Sequence, residues 1–138
     1  MPVTTEGFNY LLNAGFRGST QISTWYMGLI SYSATAALSK ADTMSSHTGW
    51  SEFTSYDESV RQTWTAIAAA GGAITNTTTV AFTTTGSGNQ LYGFFIASNS
   101  TKSGTTGTLW VTGAFSTTRF PTAGQVLRFT YTITGASS

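Results

Sequence analysis

Most of the side chains that could carry out acid–base or metal chemistry lie in one segment of the chain, residues 39–64. This segment holds four of the five acidic residues, the single histidine and two of the four tryptophans. Asp42, His47 and either Ser45 or Ser46 are the residue types of a hydrolytic triad. They lie very close together in the sequence, and no G-x-S-x-G turn presents either serine as a nucleophile. The spacing therefore argues against hydrolysis, and we expect no enzyme activity.

A metal site is a second possibility for the same segment. A metal ion needs three or four ligands, and Asp42, His47 and Glu52 form the local set with that chemistry. The alternative is a histidine that makes a hydrogen bond within its own loop. We favour the loop hydrogen bond, and we predict no metal and no cofactor.

The remaining charged residues of the segment favour a structural role. Arg61 has three carboxylates close to it in the sequence, which belong to Glu52, Asp57 and Glu58. If the guanidinium group is shielded from water, charge-assisted hydrogen bonds to these carboxylates tie the segment together. We therefore predict an ion pair that stabilises the fold.

The rest of the chain must form the scaffold that holds this segment. Its 138 residues fit one domain of ordinary size. Charged residues make up only 8% of the chain, against a usual fraction of about 25%. Threonine and serine supply the polarity instead, and threonine is β-branched, which suits a pleated surface better than a helix interior. The composition predicts an all-β fold.

Charge and hydropathy argue against two classes of partner. The formal net charge is +1, and lysine and arginine occur singly along the chain, so no basic stripe is available to follow a phosphate backbone. No apolar run approaches the roughly 18 residues that a membrane span requires, and no export signal is recognisable. We therefore expect neither nucleic acid nor a membrane as a direct partner.

A short amphipathic helix is predicted near the N-terminus. Thr5 supplies an N-cap, Phe8, Leu11 and Leu12 follow at helical spacing, and Gly15 supplies a stop. A helix this short does not persist alone in water. Its apolar stripe must therefore dock on the domain or on a neighbouring subunit.

Six alternating or apolar runs predict β-strands. They cover residues 22–31, 62–67, 76–85, 91–97, 109–115 and 126–133. Strands at this spacing predict an antiparallel β-sandwich or jelly-roll-like domain over residues 22–135. The whole chain, 1–138, is then a single domain, with an N-terminal helix or arm over 1–18 and one long irregular excursion over 39–61.

Two aromatic residues in the excursion are candidates for partner binding. Trp50 and Phe53 lie in a loop-like stretch, so they either cap one end of the β-domain or anchor an interface. Exposed aromatic rings could also stack on sugars in a carbohydrate-binding module. With the helix residues Phe8, Leu11 and Leu12, they form the predicted partner-binding set.

The order of several motifs along the chain is distinctive. It runs from GFNYLLNAGFRG and WYMGLI, through the 39–64 segment, to LYGFFIAS and GTLWVTGAF. This order resembles that of a family of small virion proteins of tailed bacteriophages. The resemblance spans nearly the whole chain, and its most specific part is the stretch 41–64.

The resemblance implies a capsid-associated structural protein of the kind commonly described as a head decoration or cement protein. It implies that the partners are the major capsid protein and further copies of this chain, for example in a trimer. It places the protein on the capsid surface of a virion that is assembled in the host bacterial cytoplasm. Two alternatives stay open, a tail or fibre component that binds a host receptor and a carbohydrate-binding β-sandwich module.

Overall fold

Antiparallel β-strands dominate the structure, a computed structural model that describes residues 3–86 and 90–135. One short helix precedes the strands, which confirms the all-β prediction. The elements are α1 (Thr5–Phe16), β1 (Trp25–Ser31), β2 (Glu52–Phe53), β3 (Gln62–Trp64), β4 (Ala73–Thr75), β5 (Val80–Thr83), β6 (Leu91–Ala97), β7 (Leu109–Arg119), β8 (Val126–Phe129) and β9 (Thr132–Thr134). The sandwich or jelly-roll arrangement of these strands stays a prediction.

The main sheet has the strand order β2-β1-β6-β7, and β3 also pairs with β1. All of these pairs are antiparallel. β1 therefore lies inside the sheet, as predicted for the run 22–31, although the strand begins only at Trp25. β6 has the same bounds as the predicted run 91–97.

One face of the main sheet carries the larger apolar core. Leu29 on β1 lies opposite Phe94 on β6, and both side chains are buried in this core. Val80 and Phe82 of β5 belong to the same core, as does Tyr131 between β8 and β9. The two small sheets, β4-β9 and β5-β8, thus contribute to covering this face.

The opposite face is covered by the excursion. Ile30 and Phe95 point to this side, where they pack with Met44 and Trp50. The rings of Trp50 and Phe95 have their centroids 5.2 Å apart. Strands covered on both faces have no wet side, which explains why β1 and β6 read as continuous apolar runs rather than alternating ones.

The run 76–85 forms a shorter strand than predicted. At the start of the run, the side chain of Asn76 makes hydrogen bonds in place of a backbone ladder. The Oδ1 of Asn76 accepts a hydrogen bond from the backbone N–H of Tyr131 at 2.9 Å, and its Nδ2 donates to the carbonyl of Phe129 at 3.3 Å. The side chain is buried. It thereby joins two segments without a strand ladder, and β5 begins only at Val80.

The alternation predicted for the last run is confirmed, although the run divides into β8 and β9. Its inward residues are buried or half-buried and its outward residues are exposed. The inward set is Leu127, Phe129, Tyr131 and Ile133, and the outward set is Val126, Arg128, Thr130 and Thr132.

A helix within residues 1–18 is confirmed, but its ends differ from those predicted. The N-cap is Thr4 and not Thr5, since the Thr4 hydroxyl accepts a hydrogen bond from the N–H of Gly7 at 3.0 Å. Gly15 lies inside the helix. The stop is supplied by Gly18, whose φ of 67° lies in the left-handed region that favours glycine.

The start of α1 is fixed tightly against β7. A side chain at Gly7 would lie 2.6 Å from the carbonyl oxygen of Trp110, so only glycine permits this close approach. The Glu6 carboxylate accepts a hydrogen bond from the N–H of Leu109 at 2.8 Å. The N–H of Thr5 donates to the carbonyl of Lys40 at 2.8 Å, which joins the helix to the excursion as well.

Candidate functional site

The acidic residue at the start of the excursion has a structural environment. Asp42 is 8% exposed. Its Oδ2 accepts hydrogen bonds from the N–H of Ser39 at 2.9 Å and from the indole Nε1 of Trp50 at 3.0 Å. The carboxylate thus holds the loop and the tryptophan together.

His47 makes the loop hydrogen bond that the sequence favoured. Its ring stacks on that of Trp50 with a centroid separation of 3.8 Å, and its Nδ1 donates to the Trp50 carbonyl at 3.1 Å. The Ser45 hydroxyl lies 3.2 Å from the hydroxyl of Thr43, and the backbone of Ser46 closes a tight turn with Thr43. In this arrangement the serines are engaged with Thr43, not with the imidazole.

The strongest polar feature of the excursion is a buried ion pair. Arg61 donates from Nε and Nη2 to the two carboxylate oxygens of Glu52, at 2.9 and 2.8 Å. The side chains are only 1% and 7% exposed. The remaining donors reach the carbonyls of Asn99 at 2.8 Å and Gly104 at 2.9 Å, and the guanidinium lies over the ring of Phe95. The predicted ion pair is confirmed, and it is more buried than the sequence indicated.

This ion pair also fixes the loop between β6 and β7. The N–H of Ser103 donates to the Glu52 carboxylate at 2.8 Å, and the N–H of Arg61 donates to the carbonyl of Ser100 at 2.8 Å. Lys102 places its ammonium 3.8 Å from the centre of the Tyr56 ring and donates to the Tyr56 carbonyl at 2.7 Å. The loop and the excursion are therefore held together by charged side chains.

The other two carboxylates near Arg61 in the sequence do not join it. Glu58 accepts hydrogen bonds from the N–H of Thr83 at 3.0 and 3.1 Å, and Asp57 is exposed. Among the residues that the structure describes, no three or more histidine, cysteine or acidic side chains are grouped so that they could hold a metal ion. Each engaged carboxylate thus contacts backbone, arginine or indole donors.

Two buried tyrosines should make the stability of the fold depend on alkaline pH. Burial raises the pKa of the Tyr56 phenol well above its usual value, and the Glu52 carboxylate raises it further. Burial also raises the pKa of Tyr131, whose hydroxyl accepts a hydrogen bond from Trp110 at 3.3 Å. Both phenols are therefore held neutral in the folded chain.

A phenol in the unfolded chain loses its proton near pH 10. The stabilising effect of a raised pKa is complete below that pH and is lost as the pH rises toward the folded value. We expect the free energy of unfolding, measured in urea, to fall above about pH 10. This decrease of the unfolding free energy with pH should be smaller in Tyr56→Phe and in Tyr131→Phe. It should be unchanged in Tyr32→Phe, whose ring is exposed. An unchanged slope in the two buried variants would contradict this assignment.

An exposed apolar patch lies on α1. It consists of Phe8, Leu11, Leu12 and Phe16, which are 52%, 48%, 51% and 86% exposed. We call it the helix patch. Phe8 also contacts Trp110, with ring centroids 6.3 Å apart, so one edge of the patch continues onto the domain. The structure thus brings the three predicted helix residues together on one surface.

The other two predicted partner-binding residues are not on that surface. Trp50 and Phe53 are 6% and 3% exposed, and they belong to the cores on opposite faces of the main sheet. Their assignment as interface anchors is therefore wrong, since their rings fill the interior of the domain. For the same reason they offer no platform for a sugar ring.

Phe16 is the surface residue that the sequence prediction missed. The sequence prediction ends the helix at Gly15, which excludes the next residue from the apolar stripe. The available signal was the spacing, because Phe8, Leu12 and Phe16 follow one another at intervals of four along one helix face.

The sequence matches no protein-family model, and no curated protein matches it. Within the described residues no helix is long and apolar enough to cross a membrane.

Proposed function

We propose that this protein is a structural virion protein of a tailed bacteriophage, which binds the outer surface of the capsid and stabilises the head. The observation that carries the proposal is the helix patch. Four large apolar side chains project from one short helix without a covering segment of the described chain. Contiguous exposed apolar patches on a small domain mark surfaces that bind other molecules.

The mechanism is binding rather than catalysis. When a patch such as Phe8, Leu12 and Phe16 is buried against a capsid subunit, the transfer of apolar area from water favours the complex. A ligand that binds the assembled state better than its separate parts stabilises the assembly by mass action. The partners are then the major capsid protein and further copies of this chain, on the surface of a particle assembled in the bacterial cytoplasm.

The residues behind the family resemblance have structural roles in this chain. Asp42, Trp50 and Arg61 are buried and hydrogen-bonded within the excursion, and Trp64 is buried in the larger core. Such residues maintain the shape of the domain. The family resemblance therefore supports the assignment to a phage virion, and the helix patch supports the binding role.

The double substitution Leu12→Ser and Phe16→Ser tests the proposal. Each large apolar side chain contributes about 1.5–3 kcal/mol when fully buried, so we expect affinity for capsids to fall by at least about 100-fold. The melting temperature of the isolated protein should change little, because both side chains are already largely exposed. The measurement is co-pelleting with expanded phage capsids that lack this protein.

Asn9→Ser is the matched control, since Asn9 is an exposed polar residue of the same helix. Wild-type binding should persist from about 0.05 to 1 M salt, where the Debye length shrinks to about 3 Å. Equal capsid occupancy by the double variant and the wild type would overturn the role of the patch. Release of the wild type by salt alone would show that charged residues hold it.

A further inference from the structure

A second surface feature lies at the C-terminal end of β7, whereas α1 contacts the N-terminal end of the same strand. It is a groove of about 530 Å³ between the C-terminal end of β7 and the strand β8. We call it the β7–β8 groove. Its volume falls within the range of binding clefts, about 300–1,000 Å³.

The groove contains apolar surface that the chain leaves accessible. Phe115 and Phe129 line it with parallel stacked rings, whose centroids are 5.5 Å apart. Both are only partly buried. Phe120 and Val126 also line it and are 67% and 46% exposed. An occupant with aliphatic side chains would remove all four from water.

Two arginines add positive charge to the same groove. Arg119 and Arg128 line it, and both are exposed. Within residues 3–86 and 90–135, the ion pair is that of Arg61 with Glu52, and neither groove arginine takes part in one. Among the described residues that line the groove, none is acidic. Guanidinium groups bind carboxylates through paired hydrogen bonds, so the groove favours an acidic occupant.

The strands that border the groove have unused pairing capacity. In the described part of the chain, β8 pairs with β5 and with no other strand. β7 is the last strand of the main sheet, and in the described part of the chain its second edge carries one isolated bridge, between Val111 and Val3. An unpaired strand edge is a template for a further strand.

We propose that the β7–β8 groove binds an extended segment of a partner protein in which acidic and aliphatic residues alternate, added as a strand beside β8. Side chains of a strand point alternately to opposite faces. One face of the segment would cover Phe115 and Phe129, and its carboxylates would reach Arg119 and Arg128. This inference does not depend on the proposed capsid role.

The probe is a hexapeptide of alternating glutamate and valine with blocked ends, titrated into the full chain by calorimetry. We expect saturable binding that weakens about tenfold in Arg119→Gln and again in Arg128→Gln, since each removes charge-assisted hydrogen bonds. Arg17→Gln is the matched control, because Arg17 is exposed at the end of α1 and does not line the groove. Affinity in this control should not change.

Two further measurements identify the occupant. The peptide in which glutamine replaces glutamate should bind at least tenfold more weakly, and the bound glutamate peptide should slow amide hydrogen exchange in β8. The proposal is overturned if the glutamate peptide does not bind or if it binds the double arginine variant as well as wild type. It is also overturned if binding leaves β8 exchange unchanged, which indicates a simple anion site, or if oligothymidylate binds the groove more tightly than the peptide.

Discussion

Replacing Arg61 with alanine is expected to lower the free energy of unfolding by about 3–5 kcal/mol, the usual effect of removing one partner of a buried ion pair. The substitution leaves Glu52 as an unneutralised carboxylate that is only 7% exposed. It also removes the donors that reach the carbonyls of Asn99 and Gly104. The loss of stability therefore includes the cost of buried carbonyls that no longer have a hydrogen-bond donor, in addition to the loss of the ion pair.

Urea denaturation of four variants distinguishes these effects. Glu52→Ala should cost an amount similar to Arg61→Ala, whereas the double variant Glu52→Leu and Arg61→Met should be closer to wild type, because apolar replacements leave no buried charge. Arg119→Ala removes an exposed arginine and should change stability by no more than about 0.5 kcal/mol. A loss below about 1 kcal/mol in Arg61→Ala would show that the site is hydrated in solution.

Replacing Trp64 with alanine is expected to cost about 3–5 kcal/mol, as for other large buried aromatic residues. Trp64 is 6% exposed and packs edge-on against Tyr131 with ring centroids 5.9 Å apart. It also lies opposite Trp25 in the register of β1 and β3. The substitution would thus open a cavity where the main sheet meets the last strands.

Trp64→Phe is an informative control for this prediction. The indole Nε1 of Trp64 is buried and has no hydrogen-bond partner in the described part of the chain. Its removal breaks no hydrogen bond and the phenylalanine ring still fills part of the site, so the phenylalanine variant should lose clearly less stability than Trp64→Ala. Thr63→Ala, at the exposed neighbouring position, should have almost no effect. A loss of under about 1 kcal/mol in Trp64→Ala, by urea denaturation, would contradict the assignment of Trp64 to the core.

Periodicity predicted the regular parts of this fold well. The apolar run of β6 and the alternation at Leu127, Phe129 and Tyr131 were sufficient to assign strands and their buried faces, because each signal is local. The helix was likewise predicted, although its cap is Thr4, whose backbone N–H donates to the carbonyl of Trp110 on β7 at 3.0 Å. That contact joins residues far apart in the sequence, and no local pattern reports it.

The excursion could not be predicted in the same way. Trp50 lies in irregular backbone and Phe53 in the two-residue strand β2, so no repeating pattern indicates the direction in which either ring points. β2 is defined only by its pairing with β1. The carbonyls of Asn99 and Gly104 that complete the site of Arg61 come from a distant loop. These features depend on tertiary contacts that only the folded chain creates.

The close contact of Gly7 with Trp110 has a consequence for the kinetics of binding. Because α1 is held to β7 at Gly7 and to the excursion at Thr5, the backbone beneath the helix patch is ordered before any partner arrives. A partner that binds an ordered surface does not have to offset the entropy lost when a flexible arm becomes fixed, about 1–2 kcal/mol for each residue. A bulkier residue at position 7 would displace the helix, and association would then have to restore that order at each encounter.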